Sequence, residues 1–95
     1  MVRIRMYIDE VDDEINSACD YAEKYIIFKN KKPTWAKMYM DMAQEEMRHA
    51  NNLYTIGTEY MDELSWVSDD DKMKWGRLGA RMADKLALAK MMLTA

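Results

Sequence analysis

The sequence predicts an all-α fold: an antiparallel helical hairpin followed by a third, C-terminal helix. Three observations carry this. The 95 residues include one proline and three glycines, few breakers for a chain of this length. Apolar residues recur at spacings of three and four through three segments, the period of a helix with one buried face. The interruptions fall where breakers and caps cluster, at Lys31-Lys32-Pro33 and around Ser65–Asp71.

Residues 1–8 alternate, with Val2, Ile4, Met6 and Ile8 against Arg3, Arg5 and Tyr7. That period of two predicts an extended N-terminal arm, although Ile4, Ile8, Val11 and Ile15 also continue a helical stripe. Helix 1 is expected over 9–30, with Asp9 as its cap and acids filling the first turn. Its stripe is Val11, Ile15, Ala18, Ala22 and Ile26, and Lys29, Lys31 and Lys32 suit its C-terminus. Helix 2 is expected over 33–64, opening on Pro33. Its stripe runs Ala36, Tyr39, Met40, Ala43, Met47, Ala50, Leu53, Tyr54, Gly57 and Met61. The short connection makes the first two helices antiparallel neighbours. Helix 3 is expected over 69–93, capped by Ser68 with Asp71 three residues on. Trp75, Leu78, Met82, Leu86, Ala89 and Leu93 form its stripe, and Gly76 and Gly79 allow close helix contact. Residues 1–95 then form a single domain.

Composition narrows the function. The net charge of −3 argues against nucleic-acid binding, and no apolar run is long enough to span a membrane. Cys19 is alone, so no intrachain disulfide forms, which fits a reducing compartment such as the cytoplasm. Eleven methionines read first as flexible core filler, with an adaptable partner-binding surface as the alternative, and Trp35, Trp66 and Trp75 read as core aromatics ahead of interface anchors. No phosphate-binding glycine loop, paired-cysteine zinc pattern or nucleophile–His–acid constellation is present.

The motif that carries chemistry is Glu46-Met-Arg-His49, which contains the single histidine. Glu and His at i and i+3 share one helix face, and the same pair supplies ligands in di-iron and di-manganese carboxylate bundles. At roughly 100° per residue, Glu46 lies in the arc of Tyr39, Ala43, Ala50, Leu53 and Gly57, with His49 at its edge. Asp41, Glu45 and Glu59 point to the far side. Helix 1 repeats the anomaly: Glu14 lies in the arc of Val11, Ala18, Tyr21 and Tyr25, whereas Asp12, Asp13, Asp20 and Glu23 lie outside it. A hairpin turning near 31–33 brings Glu14 level with Glu46–Asn51. Inward carboxylates need a proton, a cation or a metal, and Lys24 and Arg48 point outward. One histidine per chain makes half of a two-metal site, so a twofold dimer is required to complete it.

Glu14 with Tyr21 on helix 1, and Glu46-x-x-His49 on helix 2, resemble the ferritin-like superfamily. The likeness is nearest to the encapsulated ferritins, in which each chain supplies half of a ferritin bundle. It spans roughly residues 10–60, and Pro33 through Ala50 aligns without gaps. The resemblance implies a ferritin-like four-helix bundle completed by dimerisation. It implies Glu14, Glu46 and His49 as ligands to two irons per dimer, with Tyr21 as an outer partner. It also implies oxidation of Fe(II) by oxygen, a ferroxidase activity. Manganese or zinc are the alternative metals. A shell protein would be the partner, but Lys90-Met-Met-Leu-Thr-Ala95 does not resemble a shell-targeting tail. The chain is also similar to short ferritin-like proteins encoded by phages. For such a protein the expectation is a structural or assembly role, virion association and a relic or structural metal site.

Overall fold

The computed structural model describes residues 3–95 as three helices: α1 (Ile4–Phe28), α2 (Pro33–Glu63) and α3 (Asp69–Leu93). No strand occurs among the described residues. The ends of α2 and α3 match expectation closely. Pro33 stands in the first turn of α2, where its missing N–H costs nothing. The Ser68 hydroxyl accepts the Asp71 N–H and caps α3.

The N-terminal arm is corrected. Residues 4–8 belong to α1, and the helix starts at Ile4, well before Asp9. Met1 and Val2 lie outside the described residues. Burial decided against the alternation: Ile4 is buried, Tyr7 and Ile8 pack on the core, and Met6 faces water. Tyr7 also meets Tyr60 of α2, with ring centroids 5.7 Å apart. Asp9 is therefore an exposed residue inside the helix, and no side chain caps its N-terminus.

The central helix is α1. It lies antiparallel to α2 and parallel to α3, while α2 and α3 meet over only a short stretch. Residue pairs show the directions. Tyr21 meets Tyr39 and Phe28 meets Trp35 across α1 and α2. Asp12 meets Arg81, and Cys19 meets Lys85, across α1 and α3. The core is Val11, Ile15, Ala18 and Ala22 from α1, Ala43, Met47 and Ala50 from α2, and Trp75, Leu78, Leu86, Ala89 and Leu93 from α3. The alanines set the close approach of α1 to α2. Ile26 of the expected stripe is exposed. The molecule measures 53 × 21 × 14 Å, so its long axis is the length of the helices.

The methionines and tryptophans are distributed differently from expectation. Met6, Met38, Met42, Met73 and Met91 are exposed, and only Met47 among the described methionines is buried. Trp75 is a core residue, but Trp35 is half exposed and Trp66 about three-quarters exposed. A helical stripe marks which residues face inward. It does not reveal how much of the remaining apolar surface stays open.

Charge holds α3 to α1 within one chain. The Arg81 guanidinium donates from Nε and Nη2 to both oxygens of Asp12, at 2.8–3.0 Å. Both side chains keep about a third or more of their surface in water. Arg81→Ala is therefore expected to cost only about 0.5–1 kcal/mol, less at high salt. Denaturant unfolding at low and at high ionic strength checks this. A salt-independent loss above that range would mean that the arginine stem, rather than the ion pair, holds the helices together. Cys19 lies at the same seam. Its thiol donates to the Lys85 carbonyl at 3.4 Å, and burial raises its pKa against a smaller opposing pull from Lys85.

Candidate metal centre

Three side chains converge where α1 passes α2. Each of Glu14, Glu46 and His49 offers one ligand atom, and the three atoms lie within 4.8 Å of one another. His49 Nδ1 stands 3.8 Å from Glu14 Oε2 and 3.9 Å from Glu46 Oε1. Those separations exceed a hydrogen bond, so the donors are gathered without being bonded to each other. They come from the two expected helices at the expected height.

The local sequence explains the convergence. Ala18 and Ala22 on α1, and Ala43 and Ala50 on α2, are buried and small, so the two backbones come close. Glu14 and Glu46 project from the edge of that seam and are about a quarter exposed. His49 is further out, at 42% side-chain exposure.

Glu14 Oε2 is the most telling atom. It is buried and has no hydrogen-bond partner. Leaving such an oxygen unpaired costs on the order of 1–3 kcal/mol, more if it is charged. No lysine or arginine among the described residues pairs with Glu14 or Glu46. Lys24 instead lies over the rings of Tyr21 and Tyr39, 5.8 and 5.7 Å from their centroids. Arg48 is exposed. Two carboxylates and an imidazole with no internal cation form a donor set suited to a hard or borderline divalent metal.

Tyr21 is on the same side of α1 but is engaged elsewhere. It stacks on Tyr39 at 6.1 Å, and the run of rings continues through Phe28 to Trp35 at the hairpin turn. No hydrogen bond joins Tyr21 to Glu14 or Glu46 among the described residues.

The site lies on a face of the hairpin that α3 leaves open. Asp12 and Cys19, which meet α3, sit roughly 140–160° round α1 from Glu14. Trp35, Met38, Met42 and Ile56 are exposed on the corresponding face of α2. From the sequence Trp35 is expected in the core, whereas it, Met38, Met42 and Ile56 stand together in the open. Their signal was available, since they fall within about 80° of Glu46 on the helix, but nothing in the pattern showed that α3 would pack on the other side. No helix of the described residues is long and apolar enough to cross a membrane.

Comparison of the chain with protein families, with curated proteins and with solved structures returns no match.

Proposed function

We propose that Glu14, Glu46 and His49 bind a metal ion, and that two copies meet at this face to complete a two-metal carboxylate centre. The observation that carries the reading is the meeting of these three donors around the buried, unpartnered Glu14 Oε2. Two chains together offer four carboxylates and two imidazoles, the donor set of the di-iron and di-manganese bundles. Carboxylate-rich donors favour iron or manganese over soft metals. The ferritin-like resemblance of residues 10–60 points the same way and extends the reading to a four-helix bundle formed by two hairpins.

Each side chain has a distinct task. Glu14 brings a carboxylate from α1, and its buried oxygen, unpartnered within the chain, would gain a partner in a bound metal. Glu46 and His49 hold fixed positions one turn apart on α2, so their spacing is set by the helix rather than by a loop. His49 presents a neutral nitrogen and adds no negative charge. Bound iron would supply the oxidation of Fe(II) by oxygen, in which two Fe(II) give up one electron each and O2 takes both, with two protons from water, to leave as hydrogen peroxide.

A structural or assembly role is the second reading, and Met42 favours it. Its thioether is exposed one turn before Glu46, where peroxide would convert it to the sulfoxide. One experiment separates the two. The protein is loaded with Fe(II) without oxygen, air is admitted, and near-ultraviolet absorbance and Met42 mass are followed. The ferroxidase reading predicts ~one iron per chain, fast oxidation, and loss of both in Glu46→Ala and His49→Ala. Tight metal binding with oxidation no faster than that of free iron selects the structural role.

A further inference from the structure

A second open face lies on α3, away from the metal centre. Met73, Gly76, Ala80, Ala83, Ala87 and Met91 are all exposed. They fall within about 80° of one another round the helix and roughly opposite the buried line of Leu78, Ala89 and Leu93. Between Met73 and Met91 no charged residue enters that arc. Gly76 has open space above it, with no atom within 4 Å of where a Cβ would stand. Large exposed methionines at both ends and small residues between them make a flat apolar strip about five turns long.

The strip is complementary to itself when reversed. Gly76, Ala80, Ala83 and Ala87 are spaced four, three and four, which reads the same in both directions. A twofold axis between residues 81 and 82 sets Ala80 against the other copy's Ala83, and Gly76 against its Ala87. Small residues at each crossing let the backbones approach closely, and the terminal methionines close over them. Charge adds to the match. Arg77 and Asp84 share one flank of the strip, and neither makes an ion pair among the described residues. In an antiparallel pair a flank meets the same flank of its copy. Each Arg77 then lies within about one turn of the opposing Asp84, and this happens twice. The other flank brings Lys72 near the opposing Lys90, a repulsion at exposed ends that solvent and salt screen.

We propose that α3 is a second self-association surface, on which another copy of this chain packs antiparallel through Met73, Ala80, Ala83 and Met91 with reciprocal Arg77–Asp84 pairs. It stands independently of the metal reading. The test is sedimentation equilibrium of the full chain, with helical content and melting followed by circular dichroism. Ala80→Arg is expected to fold as the wild type does and to lose one twofold step of mass. Arg77→Glu and Asp84→Arg should each weaken association by about tenfold, and the double variant R77E/D84R should restore it. Glu46→Ala/His49→Ala separates the two surfaces, because it removes metal-dependent association and leaves the α3 step intact. An unchanged mass in A80R, or failure of the double swap to recover what the single swaps lose, overturns the proposal.

Discussion

Replacing Trp75 by alanine is expected to lower the free energy of unfolding by about 3–5 kcal/mol, the largest effect of any single core truncation here. Trp75 is the joint between α2 and α3. Its ring stacks on Tyr54 at 4.8 Å and 5°, and its Nε1 donates to Thr58 Oγ1 at 3.1 Å. It also lies against the bare backbone of Gly57, where any Cβ would run into Cη2, with Cζ2 at 2.8 Å and Cζ3 at 3.2 Å. Because α2 and α3 meet over so short a stretch, little else compensates. For a chain of this size each kcal/mol moves the melting midpoint by roughly 4–8 °C. Gly57→Ala reaches the same joint from the other side. The pinned indole cannot retreat, so the methyl should cost about 1–3 kcal/mol by overpacking. Gly76→Ala, whose methyl meets nothing within its own chain, should instead gain about 0.8–1 kcal/mol from helix propensity. Thermal and urea unfolding of the three variants checks the ordering. A Trp75→Ala chain as stable as the wild type would mean that α3 is held by α1 alone.

The second large effect is a reversal of sign at Glu14. In chelator, Glu14→Leu is expected to stabilise the protein by about 1 kcal/mol, because it removes a buried, unpartnered oxygen from beside another carboxylate. The side chain is about a quarter exposed, which keeps the gain modest. With manganese at a hundred times the dissociation constant, the wild type should gain about 2.7 kcal/mol by mass action. The variant, having lost a ligand, should gain far less. The order of stabilities then inverts between the two buffers. Urea melts in EDTA and in excess Mn(II) measure it directly. A variant less stable than the wild type in EDTA would make Glu14 a structural support. Equal stabilisation of both proteins by Mn(II) would place the metal elsewhere.

The elements that could be read from sequence were those with strong local signals. Pro33 and Ser68 announce helix starts through backbone chemistry, and the stripes of α2 and α3 are long enough to leave no competing period. The start of α1 was not legible, because Arg3 and Arg5 between Ile4 and its neighbours imitate a strand, and only the packing of Ile4 and Ile8 settles the matter. The candidate site was legible for a specific reason. Glu14 and Glu46 are acids inside apolar arcs, and a short hairpin connection fixes which turns are level. Tyr21 follows a different logic, since its partner is chosen by the neighbouring rings of Tyr39 and Phe28. Which face α3 would cover could not be read from periodicity, because a stripe faces a core without naming the helix across from it. The Asp12–Arg81 and Cys19–Lys85 contacts decide it, and each spans two helices.

The most direct test of the central claim is an equilibrium count of Mn(II) bound per chain, by electron paramagnetic resonance of the free ion, alongside the mass of the assembly. The metal-centre reading predicts about one Mn(II) per chain on a species of at least two chains, lost in Glu46→Ala and in His49→Ala while their helical content is kept. Undiminished binding in both variants, or no binding by a folded wild type, would contradict it.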